Sequence, residues 1–125
     1  MKLLLDTHTF LWWLSDPSRL SSGASSAVGD TRNRVFISVV VLWEIAIKRS
    51  IGKLTATLDI ERVVGDSGFE LLKIEVTHIA ASERLPFHHR DPFDRLLVAQ
   101  SIVENATLVT RDPDLLRYGA PVLIA

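Results

Sequence analysis

Cysteine is absent from the chain, which rules out a disulfide framework and thiolate metal ligation and leaves nothing to argue for secretion. A surplus of either charge is missing as well: 14 Lys and Arg face 15 Asp and Glu, for a formal net charge of −1. The chain therefore carries no broad basic footprint for nucleic acid. No uninterrupted apolar run nears the roughly 20 residues of a membrane-spanning helix. The opening "MKLLLDTHTFLWWL" is apolar with a single Lys, but Asp6 breaks it after three leucines and no small-residue cleavage site follows. It does not read as a signal peptide. Repeats, low-complexity tracts and linkers are lacking too. What remains is a chain of 125 residues, 47% hydrophobic and 23% charged, the composition of an ordinary globular protein. It reads as a single domain, residues 1–125, of a cytoplasmic protein, long enough to bury about two-thirds of its unfolded surface.

Three short apolar runs read as strands: "KLLL" (2–5), "RVFIS" (34–38) and "TLVT" (107–110). They are continuous rather than alternating, as suits central strands covered on both faces. "FELLKI" (69–74) and "PVLI" (121–124) are weaker strand candidates. Helical patterns lie between them, at 7–15, 21–32, 39–54, 59–67, 77–85, 91–106 and 112–119. The clearest is "DPFDRLLVAQSIVENA", where Asp91 is a natural N-cap and Pro92 takes the first helical position. Alternating strands and helices imply an α/β layer fold around a mostly parallel sheet. In such folds a site lies outside the carboxyl ends of the strands.

Four acids fall at or near that edge. Asp6 follows "LLL" directly, Asp94 sits in the first turn of the 91–106 helix, and Asp112 comes just after "TLVT". Glu44 lies inside "VVVLWEIAIK", where eight of ten residues are apolar, and a carboxylate there must reach water, a cation or a metal because an unpaired buried charge is too costly. Each acid also has a plainer reading. Asp6 and Asp112 suit helix capping, and Asp94 suits the positive end of a helix dipole. Glu44 and Lys48 suit an i,i+4 ion pair on an exposed stripe. As a set the acids say more. Carboxylates crowded at one sheet edge repel unless a cation neutralises them, and all-oxygen ligation points to a hard divalent ion, Mg²⁺ or Mn²⁺. Such a site can position water for attack on a phosphodiester. Lys48, Arg90, Arg95 and Arg111 lie close in sequence to the acids and are candidates to hold phosphate oxygens.

At these residues the chain resembles the PIN-domain family, more narrowly the VapC-type ribonuclease toxins of toxin–antitoxin pairs. "LLLDTHTFLWWL" is similar to the family's opening strand, first acid and helix, and "ISVVVLWEIAIK" with "GKL" to its second acidic helix. "LPFHHRDPFDRLLVAQS" and "LVTRDPDLLRYGAPVL" resemble its third and fourth acidic segments. The resemblance runs nearly end to end. It implies a three-layer α/β/α fold and Mg²⁺- or Mn²⁺-dependent RNA cleavage, with catalytic, metal-binding acids at Asp6, Glu44, Asp94 and Asp112. At the last position "TRD" matches at Asp112 better than at Asp114. The resemblance also implies supporting hydroxyls at Thr7, Ser38 and Thr110, a homodimer, and a cognate antitoxin partner that reaches the acidic pocket. Bound metal and a few arginines can draw phosphate without a net-positive protein.

Other residues keep two readings. His88 and His89 precede the 91–106 helix, either as an exposed loop or as substrate contacts. Phe10, Trp13 and Leu14 share one helix face and read as core. Trp12 turns away, so an exposed partner surface is expected there. Trp43 reads as core or groove wall, His8 and His78 as structural, and Asp91 as a cap. Two other functions compete. One is a receiver-like module in which Asp6 accepts a phosphoryl group, disfavoured because no acidic pair precedes Asp6. The other is a non-catalytic binding domain whose acids are caps and surface charges.

Overall fold

The computed structural model of the chain describes residues 1–54, 59–88 and 90–125. Lys2–Leu5 form β1, whose three leucines are wholly buried. Arg34–Ser38 (β2) and Thr107–Thr110 (β4) flank it, with Leu3 opposite Val35 and Leu4 opposite Leu108. Glu70–Leu72 (β3) and Val122–Ile124 (β5) complete the edges of a sheet in the order β3-β2-β1-β4-β5, parallel throughout. A fully sandwiched central strand explains the unbroken leucine run: both faces need apolar side chains. Truncating Leu3 or Leu4 to Ala would cost about 2–5 kcal/mol.

The helices between the strands are α1 (Thr7–Ser15), α2 (Ser22–Gly29), α3 (Val39–Ser50), α4 (Ile60–Asp66), α5 (Val76–Glu83), α6 (Pro92–Val103) and α7 (Pro113–Leu116). Most open on a side-chain cap, supplied by Asp6, Ser21, Ser38, Asp59, Asp91 and Asp112 in turn. Several helices stop earlier than their sequence patterns. After α3, Gly52 takes φ +75°, and after α6 Asn105 takes φ +55°. Left-handed residues of this kind end a helix by turning the chain back on its last carbonyls. The same geometry at Gly119, φ +72°, follows an α7 of a single turn.

Side chains alternate across the sheet and define the two outer layers. Val35 faces Trp13 and Val28 of the α1–α2 side, whereas Leu4, Phe36 and Leu72 face Glu104 and Ala106 beside the end of α6. This is the expected α/β/α arrangement. Leaving the carboxyl end of β2, α3 touches both α1 and α6, so it links the two layers. Its buried stripe is Val40, Val41, Glu44 and Ile45. Trp43 is thereby turned outward, 56% exposed and edge-on to Phe93 at 5.0 Å between centroids. The exposed tryptophan expected at Trp12 is therefore found at Trp43. Trp12 itself is half-buried, covered by guanidinium groups described below. Among the described residues no helix is long and apolar enough to cross a membrane.

Candidate active site

Asp6 leaves β1 as the N-cap of α1. Its Oδ1 accepts from the Thr9 amide at 2.9 Å, and its Oδ2 accepts from the Thr110 hydroxyl. Thr110 ends β4, the neighbouring strand, and its Oγ1 also accepts from the Asp112 amide at 3.1 Å. One buried hydroxyl thus fixes Asp6 and the backbone of Asp112 together. The Asp112 side chain caps α7, accepting from the Asp114 amide at 2.9 Å. Asp114 is exposed in the first turn of α7.

Glu44 is only 8% exposed, on the buried stripe of α3 and not on an exposed one. Its Oε1 accepts from the Thr7 hydroxyl at 2.6 Å, and its Oε2 meets Lys48 Nζ at 2.8 Å. A carboxylate this buried stays compatible with folding because it is both paired and hydrogen-bonded. Capping and site roles are not alternatives here. Asp6 and Asp112 each use Oδ1 on a helix amide, and a carboxylate has further acceptor sites.

These groups meet in one cavity of about 230 Å³, lined by Asp6, Thr7, His8, Glu44, Lys48, Asp91, Asp94 and Asp112. The N-termini of α1, α6 and α7 all contribute acids to it, so the positive ends of these helices face the carboxylates and soften their mutual repulsion. The lining offers only oxygen donors and one ammonium besides His8, which suits a hard divalent cation over a thiophilic one. Among the described residues, no three His, Asp or Glu side chains close into a preformed metal shell. A roomy carboxylate cavity nevertheless fits Mg²⁺, which keeps several of its waters and uses few protein ligands.

The remaining candidates separate. Thr7 and Thr110 hold acids, but Ser38 does not: its hydroxyl donates to Gln100 Oε1 at 2.6 Å and accepts from the Val40 amide. Arg95 turns from the cavity and donates to the carbonyls of Pro86 and Ser82 at 2.9 Å, with its guanidinium 4.3 Å from the centre of the Phe87 ring. Arg111 donates to the Ala125 carbonyl and to that of Arg19. Arg90 is exposed and outside the lining. His88 packs edge-on to Tyr118 at 5.1 Å, and His89 lies outside the described residues. Two residues with structural readings in the sequence, His8 and Asp91, also line the cavity, Asp91 while capping α6 as expected. His8 follows Asp6 and Thr7 directly and is exposed at the rim. Its nearness to Asp6 in the chain was the available signal. His78 is wholly buried and bonded to Glu104 at 2.9 Å, the structural place expected for it.

Comparison with known proteins bears on this geometry. The sequence profile of the PIN domain matches residues 3–121. The ribonuclease VapC22 of Mycobacterium tuberculosis is 29% identical over 126 residues, spanning 95% of this chain and 93% of its own. VapBC2 from Rickettsia felis, solved with a promoter DNA fragment, superposes with a TM-score of 0.71 at 18% identity, covering 98% of both chains. DNA-bound VapBC from Salmonella typhimurium gives 0.72 at 16% identity, covering 98% of this chain and 97% of that one. At such identities these structural likenesses speak to fold alone.

Proposed function

Because this chain belongs to the PIN-domain family, we propose that it is a VapC-type endoribonuclease, acting in the cytoplasm as the toxin of a toxin–antitoxin pair. The observation that carries the proposal is the single cavity shared by Asp6, Glu44, Asp94 and Asp112. Likeness to a named ribonuclease over nearly the whole chain supports it. We take residues 1–125 as one PIN domain. As partners we propose a cognate antitoxin, the counterpart named in the VapBC structures of like fold, and a second copy of this chain, with hetero-oligomers of toxin and antitoxin as the resting assembly.

PIN-domain ribonucleases generally use a divalent metal, and we assign Mg²⁺ or Mn²⁺ to the four acids. When bound, such an ion supplies Lewis-acid polarisation of the phosphate and lowers the pKa of a water molecule. The chain's own groups do the rest. Thr110 holds Asp6 against Asp112, and Thr7 holds Glu44. Lys48, which lines the cavity beside Glu44, can hold a non-bridging phosphate oxygen. Packed helix ends and buried hydroxyls keep these groups positioned before substrate arrives, the condition for electrostatic stabilisation of a transition state.

Expression of the chain alone tests the biological half of the proposal. The expected result is growth arrest, relieved by the product of an adjacent small gene and absent with Asp6→Asn. Arrest that persists unchanged with Asp6→Asn would overturn it.

A further inference from the structure

A second cavity, of about 320 Å³, adjoins the acidic one and is lined by Asp6, His8, Trp12, Arg111, Asp112 and Pro113. Asp6, His8 and Asp112 belong to both. The shared wall carries His8, exposed, with its imidazole stacked on Trp12 at 5.8 Å between centroids and 17° between planes. Arg111 and Arg19 lie 4.4 and 4.8 Å from the centre of the Trp12 ring. Arg111 is itself fastened by the Ala125 carbonyl at 3.1 and 2.7 Å. The result is a braced platform of two flat rings and two cations beside a pocket of carboxylates. Bracing matters, because a platform already held in place costs little further ordering when a ligand arrives.

We infer that this second cavity seats the base of the nucleotide next to the scissile phosphate, with His8 as its stacking surface. The inference rests on the ribonuclease reading of the acidic pocket and adds to it a substrate-positioning site. In a nucleic-acid strand a base and its phosphate are neighbours, so a base seat must share a wall with the phosphate site, as these two cavities do. Unpaired bases are recognised by stacking on aromatic rings and guanidinium planes. Two guanidinium groups over Trp12 also give this side of the acidic pocket the positive charge that the chain as a whole lacks. The class of ligand is single-stranded RNA.

Binding of a labelled, single-stranded oligoribonucleotide of randomised sequence, followed by fluorescence anisotropy, tests this in an Asp94→Asn background that suppresses cleavage. His8→Ala is expected to weaken binding about tenfold, the loss of one base stack, and His8→Phe to restore it. An abasic ribose-phosphate chain of the same length should bind the parent and His8→Ala equally. Retention of full RNA affinity by His8→Ala would overturn the inference, even if it weakened binding of a protein partner. So would an abasic chain that loses as much affinity as RNA, since His8 would then be reading phosphate. RNA binding by the parent separates the two levels. If the parent binds RNA and His8→Ala matches it, only the base seat fails; if the parent binds none, the ribonuclease reading fails with it.

Discussion

The Thr110 hydroxyl is the most sharply testable part of the site. It is wholly buried, donates to Asp6 Oδ2 and accepts from the Asp112 amide at 3.1 Å. Thr110→Val keeps the shape and removes both bonds. A hydrogen bond to a charged group contributes about 1.5–3 kcal/mol, and an amide left without its acceptor costs about 1–3 kcal/mol more. Water can reach half-buried Asp112 and recover part of this, so the expected loss is about 2–4 kcal/mol. Thr110→Ser keeps the hydroxyl and should lose only about 1 kcal/mol, the value of the missing methyl. Urea unfolding measures both, and at a slope of about 1–3 kcal/mol per molar the Val variant should shift its midpoint by about 1 M or more. In an Asp6→Asn background the cost of Thr110→Val should shrink, since directly bonded residues couple by about 0.5–3 kcal/mol. A Val variant as stable as the Ser variant, or an equal cost in both backgrounds, would refute the bridging role.

Two further outcomes follow. Arg95→Met removes the guanidinium from the carbonyls of Pro86 and Ser82, so unfolding should show lower stability while KM for RNA stays within about twofold; a raised KM with unchanged stability would return Arg95 to the site. Arg34 clamps Glu70 through two hydrogen bonds of 2.9 and 2.8 Å between β2 and β3. This guanidinium holds the Glu70 carboxyl below its ordinary value. A lowered folded pKa means that the stabilisation is complete above the unfolded value and is lost as pH falls through the folded one. The stability gap between wild type and Glu70→Gln should therefore close below about pH 4, in unfolding curves taken across the acid range.

Sequence and structure agree most closely where local rules decide. The leucines of β1, the Asp-Pro openings of α6 and α7, and the acids at strand ends follow from burial on both faces and from capping. Side chains whose partners lie far along the chain were not legible. Ser38 bonds Gln100 across 62 positions, and no local pattern announces that its hydroxyl is taken. Arg95 sits beside Asp94 in sequence, yet on a helix adjacent residues diverge by about 100° and do not face one another. Its long stem carries the charge to the carbonyls of Ser82 and Pro86. Periodicity turns Trp12 outward but cannot foresee that Arg19 and Arg111 cover it, while Trp43, expected as core or groove wall, is turned outward by α3. Glu44 shows the limit from the other side. Its i,i+4 pairing with Lys48 was legible, but the Thr7 hydroxyl that turns the pair into a cavity wall comes from 37 positions away.

On this reading, the carboxylates at the sheet's edge cut RNA with a divalent ion. The most direct measurement is cleavage of single-stranded RNA by the purified chain, with Mg²⁺ or Mn²⁺ and with excess chelator, beside the Asp6→Asn/Asp94→Asn double variant. Cleavage that stops with chelator, returns with added metal, and is absent from a double variant that still unfolds cooperatively is the result predicted. Full cleavage by the double variant, or in the presence of chelator, would contradict it.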